Sequence, residues 1–277
     1  MHVRVARATP TRRWITSFGQ ISSFSSWTFS SGLVSLPHPE KKRGEDAAFV
    51  TPTAVGVADG VGGWARKGID SGAYSRTLMA ACELSTLTDP VKRLTEAYNT
   101  TKVPGSSTAC IIQLSDDGTI HTANLGDSGF MLCRENAEEE GWSIIYASPS
   151  QCHYFNCPFQ LGHGSRDTPA HADLSTLSVE PNDVVLVATD GLFDNLTEEE
   201  ILSLLAGITE ESKAQKHEAE ARMQFTASTI VAVAHEIAKS ETRLTPFAQA
   251  ARQAGYKGTA GGKMDDITVV AALIQNK

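Results

Sequence analysis

Four acid-bearing motifs stand at the ends of apolar runs: Gly44-Glu45-Asp46, Val57-Ala58-Asp59-Gly60, Ala188-Thr189-Asp190-Gly191 and Met264-Asp265-Asp266-Ile267. The residues beside each acid favour burial, and a buried carboxylate is costly unless a cation or hydrogen-bond donors compensate it. Glycine follows two of the acids, so the backbone there can turn sharply and approach a ligand. No His or Cys adjoins them. The donor set is therefore all oxygen, suited to hard ions such as Mg2+ or Mn2+ and not to zinc or copper. Two such ions roughly 3.5–4 Å apart can activate a water between them and neutralise a phosphoryl group. A single Asp-Gly is ordinarily just a turn, and residue types alone leave both readings open, a metal site or a set of turns.

Strands must end in these acids if they are to meet. Ala47–Thr51 and Ala54–Ala58 read as two short buried strands joined by Thr-Pro-Thr, and Val184–Ala188 is a continuous apolar run. Thr108–Leu114 and Thr119–Asn124 flank Asp116-Asp117-Gly118 as a hairpin, with Gly129–Arg134 and Trp142–Ala147 continuing the meander. Asp266–Ile274 reads as a last strand. Helical spacing marks 72–85, 90–99, 198–206 and 226–239, while the charged stretch 209–222 fits a solvated helix face or a loop. Strands in runs with helices inserted in pairs predict an α+β layered fold and not a regular βαβ repeat.

The chain has 277 residues and a formal net charge of −8. With 41% apolar and 20% charged residues it can bury a full core, and no apolar stretch is long enough to predict a transmembrane helix. A global nucleic-acid surface is excluded by the acidic balance. The charge is uneven: residues 1–39 hold Arg4, Arg7, Arg12 and Arg13 and no acid, leaving 20 basic and 32 acidic residues, a net −12, in 40–277. Residues 1–35 are Arg- and Ser-rich with scattered aromatics, the composition of an organellar transit peptide or of a disordered tail. The mitochondrial matrix is the first destination and the chloroplast the alternative. Five cysteines, an odd number, argue against a disulfide framework. Cys152, His153 and Cys157 lack a fourth ligand and the spacing of a zinc site.

In order along the chain, Gly44-Glu45-Asp46, Ala58-Asp59-Gly60-Val61-Gly62-Gly63-Trp64, Gly105-Ser106-Ser107-Thr108-Ala109, Asn124-Leu125-Gly126-Asp127-Ser128-Gly129, Ala188-Thr189-Asp190-Gly191-Leu192-Phe193-Asp194-Asn195 and Lys263-Met264-Asp265-Asp266-Ile267-Thr268 resemble the metal-dependent protein phosphatases (PPM-type, type 2C serine/threonine phosphatases), in their organellar branch. The resemblance spans about residues 40–275. It implies a four-layer αββα sandwich of two antiparallel sheets flanked by helix pairs, filling 36–277. It further implies hydrolysis of phosphoserine and phosphothreonine without a covalent enzyme intermediate, with two or three Mn2+ or Mg2+ ions. Asp59 would bridge two metals and Gly60 would offer its carbonyl to one. Glu45 and Asp46 would hold metal-bound water, Asp190 and Asp265 would complete one ion's shell, and Asp127 would share a looser third site with Asp190. Asp59, Asp190 and Asp265 are thus the catalytic expectation.

Two positions depart from the family pattern. Val61 stands where many relatives carry a His that protonates the leaving group, and His153 is a candidate from elsewhere. Lys41 stands where many carry a phosphate-binding Arg, and Arg43 could take that task, whereas the basic run Lys41-Lys42-Arg43 could also be a remnant of the presequence boundary. The expected partners are phosphorylated proteins, met by a monomer. A pseudophosphatase that binds phosphoproteins without turnover, and a hydrolase of small phosphoesters, are the competing readings. Recognition is expected in loops such as 135–141 and 160–173.

Overall fold

Why is Val184–Ala188 apolar at every position? The computed structural model, which describes residues 26–136, 141–215 and 218–276, puts this strand in the middle of a sheet covered on both faces. Val185 and Val187 join Val55, Val57, Ile112, Phe130 and Val270 in a core between two sheets. Val184, Leu186 and Ala188 point the other way, into a second core with Ile201, Ile230 and Val231. A strand alternates its side chains between faces, so burial of both removes any polar alternation. Each Val or Leu so buried contributes about 1.5–3 kcal/mol.

The first sheet runs β1 (Trp27–Leu36), β14 (Ile267–Asn276), β13 (Val184–Ala188), β7 (Gly129–Asn136) and β8 (Gly141–Ala147). The second runs β12 (Asp173–Ser178), β6 (Thr119–Leu125), β5 (Ala109–Leu114), β3 (Ala54–Ala58) and β2 (Ala47–Val50). All pairings within both are antiparallel. Two minor ribbons join β4 (Ser106–Ser107) to β11 (Leu161–Gly162) and β9 (Cys152–Tyr154) to β10 (Cys157–Pro158). Helices α1 (Ser71–Leu84) and α2 (Pro90–Thr100) cover the second sheet through Leu78, Met79 and Leu94. On the first sheet, a short turn of helix α3 (Asp190–Phe193) leads to α4 (Glu198–Gln215) and α5 (Ala219–Ala238), which pack on β8, β1 and β14. A last helix, α6 (Pro246–Gln253), precedes β14. The architecture is the expected α+β four-layer sandwich.

Local signals explain the element boundaries. Asp89 caps α2, its Oδ1 accepting the N–H groups of Val91 (3.0 Å) and Lys92 (3.1 Å) ahead of Pro90 at the first turn. Of the charged stretch, residues 209–215 form the end of α4 and residues 219–222 the start of α5.

One boundary needs correction. The sequence reading assigned residues 1–35 to the leader, but β1 begins at Trp27 and pairs with β14 along its whole length, from Trp27 opposite Asn276 to Leu36 opposite Ile267. Phe29 is buried between the sheets and Leu33 packs against the same core, while Val34 packs against the core under α5. Three serines in this run hide the strand: Ser30 bonds Gln275 and Ser35 bonds Thr268, so the sheet itself satisfies those two hydroxyls. The folded domain therefore starts ahead of residue 36, and the rest of the expected transit peptide or disordered tail, residues 1–25, lies outside the described residues. Among the described residues the cysteines are all free, with Cys82, Cys110 and Cys133 buried. No described helix is long and apolar enough to cross a membrane.

Candidate active site

The strand registers deliver the acids to one end of the sandwich. Ala47 at the start of β2 faces Ala58 at the end of β3, which makes neighbours of Asp46 and Asp59. Ala188 at the end of β13 faces both Val269 of β14 and Gly129 of β7, so Asp190, Asp127 and the Asp265-Asp266 pair emerge together. Stacking of the two sheets then merges these groups. The carboxyl of Asp59 is raised well above the ordinary aspartate range, first by burial and then by Asp190, Asp46, Asp265 and Asp127. Asp46 is pushed up to about 8 by burial and by Asp266 and Asp190, against hydrogen bonds from Thr268 and Thr189. Burial and Asp190 push Asp127 up to about 7. Asp265 is raised for the same two reasons. Each carboxylate thus opposes ionisation of the others.

The surrounding hydrogen bonds hold this repulsive set in place. The Asp59 N–H donates to Thr108 Oγ1 (2.9 Å), and the Thr108 N–H donates to the Asp59 carbonyl (2.9 Å). Thr108 Oγ1 and Ser128 Oγ share a further bond (2.7 Å), tying the Asp127 turn to Asp59. Thr189 Oγ1 donates to Asp46 Oδ2 (2.8 Å) and accepts from the Thr268 N–H (3.0 Å), linking three of the four motifs through one hydroxyl. Glu45 is oriented at both oxygens, by Ser71 Oγ on Oε1 (2.5 Å) and by Lys41 Nζ on Oε2 (2.6 Å). The Gly60 N–H donates to the Glu45 carbonyl (3.1 Å), and a Cβ at position 60 would lie 2.8 Å from that carbonyl.

Asp265 and Asp266 separate in role. Asp266 is buried and accepts from the N–H groups of His38 (2.6 Å) and Glu45 (2.7 Å) and from Lys41 Nζ (3.0 Å). Burial opposes its ionisation, but these donors outweigh burial and keep it below the usual carboxylate range. It anchors the Lys41–Glu45 segment, whereas Asp265 contacts Lys263 Nζ (3.2 Å) and lies within the field of Asp190.

Three buried carboxylate oxygens, Asp46 Oδ1, Asp127 Oδ1 and Asp190 Oδ1, have no hydrogen-bond partner. Buried acceptors in this state point to a ligand. The compensation present comes from Lys263, whose ammonium contacts Asp190, Asp194 Oδ2 (2.7 Å) and Asp265 Oδ2 (3.2 Å). Among the described residues no three His, Cys, Asp or Glu side chains are arranged to hold a metal ion as they stand. The oxygen-only set with orphaned acceptors nevertheless fits hard divalent ions, provided that Lys263 yields part of its position.

Lys263 was the residue whose role the motif pattern did not disclose. Its importance is visible only in space, because the loop before β14 folds back over α3: Asn195 Nδ2 donates to the carbonyls of Gly191 (2.9 Å) and Lys263 (2.9 Å), and Asn195 Oδ1 accepts from the Lys263 N–H (2.9 Å). Ser71 was likewise unreadable, being one hydroxyl at the start of a helix. His153 lines the same groove as Val61, with its Nε2 3.0 Å from Asp167 Oδ2 and its ring stacked on Phe159 at 4.1 Å. Lys41 is held by Glu45 and Asp266, whereas Arg43 is exposed with no ion pair among the described residues.

No family model matches the chain. Among solved structures, the photosystem II phosphatase PBCP superposes with a TM-score of 0.76 at 29% identity, covering 89% of this chain and 99% of that one. The catalytic domain of the serine/threonine phosphatase PstP in complex with two manganese ions shares the fold, with a TM-score of 0.56 at 15% identity over 90% of this chain and 100% of that one. Probable protein phosphatase 2C 55 of Arabidopsis thaliana is 44% identical over 257 residues, 88% of this chain and 51% of the relative. Protein phosphatase PTC7 homolog of Xenopus laevis is 40% identical over 255 residues, 83% of this chain and 81% of the relative. The chain belongs to the protein phosphatase 2C family. It spans about half the length of the plant relative and most of the animal one. The family's PPM-type fold accounts for the two sheets and their helix pairs.

In this protein phosphatase 2C chain, Gly191 tests how closely α3 must approach β14. A Cβ there would lie 2.1 Å from the Asp266 carbonyl oxygen, a contact that backbone alone would have to relieve. Gly191→Ala should destabilise the protein by about 1–3 kcal/mol and lower Tm by several degrees. An unchanged thermal melt would show that the approach is not tight.

Proposed function

We propose that this protein hydrolyses phosphoserine and phosphothreonine in organellar proteins, using Mn2+ or Mg2+ held by Glu45, Asp46, Asp59, the Gly60 carbonyl, Asp127, Asp190 and Asp265. The carrying observation is the convergence of buried, mutually opposing carboxylates with orphaned oxygens. Two or three divalent ions, when bound, would supply positive charge to the phosphoryl oxygens and activate the attacking water. Water then replaces the alcohol on phosphorus, releasing inorganic phosphate and the serine or threonine hydroxyl. Glu45, fixed by Ser71 and Lys41, keeps a lone pair on each oxygen for a water proton. Asp46, fixed on one oxygen by Thr189, offers the other. Val61 cannot donate a proton, so the leaving hydroxyl takes its proton from water.

Incubation with Mn2+ and a phosphothreonine peptide should release phosphate, and a chelator should abolish release until the ion is restored. Peptide left intact by folded, ion-loaded protein would refute this reading. Release from small esters alone would favour the narrower phosphoester hydrolase.

Phosphate capture is assigned to Arg43, because Lys41 is already committed to two carboxylates. Arg43→Ala should raise KM about tenfold, the order of one charge-assisted hydrogen bond, with kcat little changed. Lys41→Ala should chiefly lower kcat by loosening Glu45. Equal KM in all three proteins would remove both residues from phosphate binding.

The acid-free, arginine-bearing start supports delivery to the mitochondrial matrix, with the chloroplast as the alternative. A fluorescent fusion of residues 1–26 that stays in the cytosol would exclude both. The protein works as a monomer in this reading, and elution at twice the mass of one chain would overturn that.

A further inference from the structure

We infer that the groove beside Asp59-Gly60 holds an acidic stretch of the substrate, so that phosphoresidues flanked by Asp or Glu are preferred. This rests on the phosphatase reading and deepens it.

Two segments far apart in sequence make the groove. One is the 3-10 turn Gly62–Lys67 that leaves Asp59-Gly60. The other is the loop around His163–Asp167. They are held together by the β4–β11 ribbon, by the bridge of Gly60 with Ser107, and by the His163 N–H donating to the Gly105 carbonyl (2.9 Å). The resulting groove of about 840 Å³ has Val61 at the end next to the acid cluster and Trp64 along its wall. Trp64 is fixed by its indole N–H donating to Ser106 Oγ (2.6 Å).

The charge of the lining reverses that of the molecule. The chain carries a net −8, yet the groove presents Lys67 and Arg166, both exposed and neither in an ion pair among the described residues. Lys67 Nζ sits 4.6 Å from the centroid of the Trp64 ring. An aromatic face holds an ammonium in place without neutralising it. The one acid in the lining, Asp167, is already taken: its Oδ2 accepts the Gln160 N–H (3.0 Å) and pairs with His153 Nε2 (3.0 Å). What remains for a substrate is uncompensated positive charge on a fixed aromatic wall that begins at Val61, directly after Asp59-Gly60 in the chain. An acidic peptide segment complements it, and a basic one is repelled.

The test uses the full chain with Mn2+ and two phosphothreonine peptides of equal length, one flanked by Asp and Glu and the other by Ala and Ser. The acidic peptide should show a kcat/KM roughly tenfold higher at low salt, a ratio expected of a few exposed charge pairs, and the advantage should shrink in high salt. Lys67→Glu combined with Arg166→Glu should remove or invert the preference while turnover of p-nitrophenyl phosphate stays unchanged. Fluorescence anisotropy with the same peptides reads the groove independently of turnover. Equal kcat/KM and equal binding of the two peptides, or a preference that survives the double reversal, overturns the inference while p-nitrophenyl phosphate turnover leaves the phosphatase reading intact. Absence of turnover on every substrate, with acidic-peptide binding retained, overturns the phosphatase reading instead.

Discussion

Asp59→Asn is expected to eliminate phosphate release while making the metal-free protein more stable. The two effects share one cause. Asp59 lies at the centre of the repulsion, its carboxyl raised first by burial and then by four other aspartates. A carboxyl whose folded-state pKa lies above its unfolded value costs stability as pH rises. The cost begins near the unfolded value of about 3.9 and is complete above the folded one. The amide removes both charge and repulsion, a gain on the order of 1–3 kcal/mol at neutral pH. For a domain of this size that corresponds to a Tm rise of roughly 2–10 °C. The same change removes a carboxylate that would help to hold the divalent ions in the proposed reading, and a loss of about a thousandfold or more in kcat is the scale of such electrostatic contributions. Calorimetry and phosphate release on one preparation decide the matter. Retained activity would sink the metal assignment, and lowered stability would show that Asp59 is compensated in some other way.

Lys263→Met should have the opposite effect on the metal-free fold. Burial works against the Lys263 ammonium, yet Asp190, Asp194 and Asp265 outweigh it and hold the side chain charged. Asp194, buried beside it, is still pushed up to about 7. Removing the only ammonium that touches these three carboxylates among the described residues leaves buried charge uncompensated, a cost of about 3–5 kcal/mol. Divalent ion should restore much of this, since an ion present at a hundred times its Kd adds about 2.7 kcal/mol. The variant should therefore melt well below the wild type without Mn2+ and approach it with Mn2+. Equal Tm values without metal would mean that the lysine contact adds nothing. A variant that Mn2+ fails to stabilise would mean that ions do not take the place of the ammonium.

The sequence disclosed most clearly what local chemistry dictates. Val184–Ala188 and the Thr-Pro-Thr turn were legible because burial on two faces and proline geometry leave short-range marks. The acids were legible as a set because each ends an apolar run. Less legible was whatever depends on contacts between distant segments. The strand Trp27–Leu36 was missed because serines satisfied within the sheet resemble serines in a leader. Asp173–Ser178 and Pro246–Gln253 were not foreseen, one being an edge strand with alternate residues exposed and the other a two-turn helix. At the site, Thr189 and Thr108 matter through hydroxyls that bridge motifs, and no spacing rule marks such a hydroxyl. The Lys41 result shows the same limit: a position equivalent to a phosphate binder became a clamp on two carboxylates.

The pairing of β1 with β14 joins the first described strand to the last. β14 is also the strand on which β13 closes, so the first sheet cannot be completed until residues near 276 are present. A chain emerging amino-end first from a ribosome or a translocation pore must therefore keep Trp27–Leu36 waiting for its neighbour throughout synthesis or import. Because β14 lies between β1 and β13, a chain cut short before Ile267 would leave both strands without their shared partner.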